Sequence, residues 1–231
     1  MLIAEDLLLL LTNDDTGKLA KSGTEVDVAL GGALLVDLTL MGRVDVGGPS
    51  EPVREGRLVV RDPAPTGDAV LDEALATIGE KEGKKPKSVV ARLGKGVRAT
   101  LYGRLVEDGV VRAEKGRILG IFPTDRWPAE NANHEMSVRA GIASALRDGR
   151  TSDARTGALT SLLLALRAVH KVMEPSSVGL SKQELKESAK RIAEGDWAAK
   201  AVRQAIDSTN AAIIAASSSA AASHGGGGGG S

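Results

Sequence analysis

"VDVALGGALLVDLTLMG", residues 26–42, decides the fold. Leu30, Leu34, Leu38 and Met41 recur at spacings that place them on one face of a helix. Gly42 then supplies a helix stop. The rest of the chain shares this chemistry. It has 231 residues, enough for one large domain or two small ones, and 42% of them are hydrophobic, so a sizeable core is available. Leu, Val and Ala dominate the apolar set and aromatics make up 2%, which favours helix packed on helix.

Upstream, "LIAEDLLLLL" (2–11) reads as a buried helix or strand, closed by "TNDDTGK". Its two acids and short length exclude a membrane span, and no basic region or cleavage site marks it as a signal peptide. Downstream, "RVDV" and "RLVV" read as two short strands. A helix follows in "DPAPTGDAVLDEALATIGE", with Pro63 and Pro65 keeping its approach extended, Thr66 as N-cap and Asp68 in the first turn. "EKEGKKPK" reads as a polar loop. Residues 97–106 read as a helix leading into "GVVRAEKGRILGIF", where two apolar runs face each other across Glu114-Lys115-Gly116. "PTDRWPAENANH" reads as loop.

The C-terminal third reads as helical. Leu159, Leu162, Leu166, Val169 and Met173 form one stripe, stopped by Pro175. Ser181 to Glu184 is a capping box, with Gly195 near the far end of its helix. Val202, Ile206, Thr209 and Ile213 mark a last helix. The expectation is one mainly α domain over residues 1–216 with two small hairpins, and a flexible Ser/Ala/Gly tail over 217–231.

Catalytic readings find little support. Without cysteine there is no disulfide, thiolate nucleophile or thiolate metal site. His134, His170 and His224 lie in unrelated segments without metal-ligand spacing. Glu5-Asp6 and Asp72-Glu73 are adjacent pairs that diverge on a helix, and solvated helix faces account for them. "GKGVR" lacks the Walker spacing. A non-enzymatic protein with no cofactor and no metal is expected.

The basic residues concentrate locally. Net charge is zero, yet residues 80–117 hold eleven basic and five acidic side chains. Within that window Lys95 and Arg98 are three apart, so on a helix both can reach one anion.

Several segments resemble the Golgi phosphoprotein 3 family, including its bacterial members. They are "EDLLLLLTNDDTGKL", "GGALLVDLTLMGRV", "APTGDAVLDEAL" and "RLVEDGVV", in the family's order, with "PTGD-x-x-LDEAL" the most specific. The resemblance covers residues 1–215. It implies a helical bundle surrounded by amphipathic helices, with a protruding hairpin at about 110–122. In eukaryotic members this fold is a non-enzymatic reader of phosphatidylinositol 4-phosphate that docks on Golgi membranes and oligomerises through the hairpin. The family's basic pair matches Lys95 and Arg98. Its arginine position falls on Gly31 and its tryptophan position near Ser22, beside Lys21.

The expected function is therefore a cytoplasmic, peripheral membrane protein that binds an anionic, phosphoinositide-like headgroup through Lys95 and Arg98, with Lys21, Ser22 and Gly31 as weaker candidates. The hairpin would contribute Val111, Arg112, Lys115, Arg117, Ile118 and Leu119, together with Val110, Ile121 and Phe122. Trp127, beside Arg126, suits a membrane interface or covers the hairpin base. The alternative is an adaptor that self-associates through the hairpin and has little lipid affinity; its client is unknown. Nucleic-acid binding is the third reading. Few aromatics for stacking and a modest basic surface weigh against it, and no nucleic-acid partner is expected.

Overall fold

The computed structural model describes residues 1–48, 53–118, 122–195, 207 and 209–215, with backbone alone at 116–118 and 122–125. Two helices lie at the centre, α1 (Ile3–Leu11) and α2 (Gly23–Leu40). Every residue of α1 is buried, and α2 is buried from Val28 to Thr39. A helix apolar on all sides belongs inside a bundle. The face read from Leu30, Leu34 and Leu38 is thus only part of the buried surface, and Met41 instead caps the exposed end of α2.

Around this pair stand α3 (Ala69–Gly79), α4 (Lys87–Leu93), α5 (Val97–Glu107), α6 (Asn133–Asp148), α7 (Ala154–Ala165), α8 (Val169–Val172), α9 (Pro175–Val178) and α10 (Lys182–Glu194). Residues 209–215 are also helical, with Thr209 and Ile213 buried. Val202 and Ile206 of that expected helix lie outside the described residues, as do His224 and positions 216–231. Strands β1 (Val44–Val46) and β2 (Leu58–Val60) pair antiparallel, and β3 (Glu114–Ile118) and β4 (Phe122–Arg126) form a second antiparallel hairpin. The protein is mainly α with short hairpins.

Polar residues hold the bundle from within. The Asp37 carboxylate of α2 accepts the backbone N–H of Ile3 at 2.9 and 3.2 Å, capping α1 from outside its own sequence. Glu5 and Asp6, expected on a solvated face, are each 1% exposed. Arg104 reaches Glu5 at 3.0 Å and Asp68 at 2.9 Å, while Asp6 takes Arg155 at 2.6 Å and His134 at 2.7 Å. These carboxylates stay inside because cations from distant segments meet them there.

Other local readings shift. Asp68, not Thr66, is the N-cap of α3 and accepts from Val70 and Leu71; Thr66 bonds Asp72. The polar stretch before Ser88 runs into α4. The stripe from Leu159 to Met173 spans two helices, because Arg167 turns the chain in a left-handed conformation, φ 51°. The Ser181–Glu184 capping box forms as read. The second hairpin begins four residues later than expected, so Glu114, Lys115 and Gly116 are strand residues paired with Arg126, Asp125 and Thr124.

Candidate functional site

Gly31 of α2 meets Gly94 at the end of α4. A Cβ on Gly31 would lie 2.1 Å from the Val90 carbonyl oxygen, and one on Gly94 would lie 1.7 Å from that of Asp27. The two backbones touch, so neither position has room for a side chain. This contact sets the link between α4 and α5. Lys95 and Gly96 make the turn, Gly96 with φ 82°, and α5 starts at Val97. Lys95 is therefore outside the helix, and the shared helical turn expected of Lys95 and Arg98 does not form.

The two cations open into different depressions. Lys95 is exposed and borders one of about 260 Å³ with Arg92, Val97 and Thr100 on one side and Glu73 and Thr77 of α3 on the other. Arg98 borders one of about 400 Å³, lined also by Gly17, Lys18, Leu19, Ala99, Tyr102 and Trp127. The Tyr102 and Trp127 rings stack with centroids 4.5 Å apart and planes 7° from parallel. Tyr102 Oη also shares a 2.7 Å hydrogen bond with Thr12 Oγ1. Burial raises the Tyr102 pKa, so the phenol stays neutral.

Arg98 is one-third exposed and sits over the start of α2. Its Nε lies 3.3 Å from Asp27 Oδ1, an ion pair without hydrogen-bond geometry. Burial raises the Asp27 pKa, and the nearby guanidinium opposes that rise. A Cβ at Gly23 would lie 2.7 Å from Arg98 Nη1, so the absent side chain is what lets the guanidinium rest on the first turn. A cation at a helix N-terminus faces the positive end of the dipole. Lys21, 3.9 Å from Glu25, and exposed Lys18 add to the positive potential. An incoming anion would relieve this arrangement.

The weaker candidates have structural places. Ser22 is the N-cap of α2, its hydroxyl donating to Glu25 Oε2 at 2.7 Å. Gly31 is buried against α4. Val111 is 2% exposed in the core, bridged to Ala129, so it is not a surface residue of the hairpin. Arg112 is held by Glu114 at 2.8 Å and by the Ala129 carbonyl. Lys115 is exposed on β3, and the backbones of Arg117 and Ile118 pair with Pro123 and Phe122. Leu119 and Ile121 lie outside the described residues. β3 and β4 form a two-stranded sheet of their own among the described residues. Lys18 and Tyr102 were not read from the sequence; the one available signal was rarity, since the chain has a single Tyr and two Trp.

A family model for Golgi phosphoprotein 3 (GPP34) matches residues 3–209. The chain belongs to the Golgi phosphoprotein 3 family. Vacuolar protein sorting-associated protein 74 of Eremothecium gossypii is 27% identical over 164 residues, covering 62% of this chain and 48% of that protein. The chain thus spans about half the length of this curated relative. Family membership accounts for the helical bundle with its short hairpins. Among the described residues of this family member, no helix is long and apolar enough to cross a membrane and no three His, Cys, Asp or Glu converge as metal ligands.

Proposed function

We propose that this protein is a non-enzymatic peripheral membrane module that binds anionic lipid headgroups, phosphoinositide-like, on the cytoplasmic face of a membrane. The observation that carries this reading is the Arg98 depression. It combines a loosely paired guanidinium, Lys18 and a helix N-terminus with the stacked Tyr102–Trp127 pair. Arg supplies a planar fork for phosphate oxygens, and Trp127, half-buried and backed by buried Tyr102, offers an apolar surface to a ring beside them. Lys95, exposed and without an ion pair among the described residues, contributes from the other side of the linker as a bilayer contact.

Vesicle flotation tests this. The parent protein floats with vesicles containing phosphatidylinositol 4-phosphate at low salt. At about 1 kcal/mol per surface cation, Lys95→Ala with Arg98→Ala costs about 30-fold in binding. Arg98→Ala alone removes the preference for the phosphorylated headgroup, while Lys95→Ala weakens binding to all anionic vesicles alike. A parent that stays with the pellet, or a double variant that floats as well as the parent, overturns the reading.

A second reading rests on the hairpin, a two-stranded ribbon with no third strand paired to it among the described residues. Such a ribbon is suited to joining copies of the chain, as an adaptor in protein sorting would require, with a client of unknown identity.

A further inference from the structure

A pocket of about 340 Å³ opens between the end of α7, α8 and the first turns of α10. It is separate from both depressions beside α5. Leu164 and Val169 contribute its apolar floor, and Arg167, His170, Lys182 and Lys186 its rim. No carboxylate is among these lining residues, and no ion pair engages Arg167, Lys182 or Lys186 among the described residues. Lys182, Lys186 and Lys190 recur every four residues on the exposed side of α10, so they form one cationic row.

Two further observations mark the pocket as more than a solvated basic surface. Arg167 is the one non-glycine residue with positive φ among those described. Glycine makes that turn without strain, whereas an arginine there carries a backbone cost and places a guanidinium at the rim. His170 is held below its usual pKa by burial and by Lys182, Lys171 and Lys21, so every charged neighbour acting on it is a cation. Next to the pocket, α8 is tied to the α1–α2 loop, which also borders the Arg98 depression. Lys171 Nζ donates to the Ala20 carbonyl at 3.0 Å, and the same loop runs through Lys21 to Gly23 under the guanidinium.

The floor narrows the ligand. Leu164 and Val169 give the pocket an apolar part with no polar side chain, beside the cationic rim. They suit the carbon skeleton next to a phosphate. We propose that this pocket is a second lipid site, which takes the phosphate of an anionic glycerophospholipid on Arg167, Lys182 and Lys186 and its glycerol and first acyl carbons on Leu164 and Val169. This rests on the membrane reading above and adds to it a contact that does not select inositol. The protein would then dock at two points, this pocket and the Arg98 depression.

Vesicles of phosphatidylcholine with phosphatidylglycerol, which carries no inositol, supply the test. Lys182→Ala with Lys186→Ala loses about 30-fold in binding, and Arg167→Gly about fivefold. Arg167→Gly also keeps or raises the thermal midpoint, which separates lost binding from lost folding. Lys95→Ala with Arg98→Ala retains measurable binding to these vesicles through the second site. Either α8–α10 variant floating like the parent overturns the assignment while leaving the Arg98 site standing. A parent that binds no anionic vesicle removes both. Displacement of the parent by inorganic phosphate at equal phosphate concentration would show that the pocket reads free phosphate, and would overturn the glycerol and acyl assignment.

Discussion

Asp37 shows how one residue sets both structure and pH response. It is 8% exposed and caps α1 from the last turn of α2. Burial raises its pKa from 3.8 to about 6, against the lowering effect of the Ile3 N–H and Arg155. The folded protein therefore holds this proton more tightly than the unfolded chain does. The stability it contributes is fully present below the unfolded value near 3.8 and is lost as pH rises through about 6. The size is about 3 kcal/mol, from about 1.4 kcal/mol per pKa unit. Asp37→Asn keeps an oxygen for the Ile3 N–H and removes the titration. Urea unfolding at pH 4 and pH 7 checks it: the variant gains on the parent at the higher pH, and an equal difference at both pH values refutes the argument. None of this was legible in the sequence, where Asp37 stands in a leucine run with its partner 34 residues away. Glu5 and Asp6 were misread for the same reason. Arg104 and Arg155 hold them inside, and sequence spacing does not reveal contacts between segments so far apart.

Among the elements, those whose pattern is local were readable. Leu30, Leu34 and Leu38 announce α2, and Ser181 with Glu184 announces the start of α10, because period and cap act within a few residues. α4 was hidden by the polar run before Pro86, although Val89, Val90 and Leu93 bury themselves once the helix forms. The break between α7 and α8 was hidden because the apolar stripe continues through it, while one left-handed residue redirects the backbone. The linker before α5 was similarly opaque, so Lys95 and Arg98 were placed on one turn when a glycine separates the first from the helix. The α2–α4 crossing carries a prediction. Gly94→Ala forces a methyl against the Asp27 carbonyl and must push the helices apart. Overpacking of this kind costs about 1–3 kcal/mol. The expected result is a lower urea midpoint with the slope unchanged, together with weaker vesicle binding because Asp27 and Arg98 move. A midpoint equal to that of the parent would show that the crossing yields easily.

For the whole molecule, a net charge of zero conceals an uneven distribution. Arg92, Arg98, Arg104 and Arg112 of the basic window all have carboxylate partners, and Asp27, Glu5 and Asp68 from outside the window offset part of its surplus. Cations without such partners among the described residues include Lys18 and Lys95 and the α8–α10 rim. The hairpin makes the remaining prediction. If it joins copies of the chain, replacing residues 115–125 with a short Gly/Ser linker lowers the mass seen by light scattering to that of one chain and leaves the circular dichroism helical. The same mass before and after would exclude the hairpin as the contact. Contacts at both ends clamp α5. Arg104 ties its far half to Glu5 and Asp68, while Gly94 seats its near end on α2. Arg98 thus rides on a fixed mount, so the anion binding proposed for it would have little ordering left to oppose association. Capture at such a site would be governed by diffusional encounter and ionic strength, and stopped-flow mixing with anionic vesicles would show one salt-dependent phase with no slow step after it.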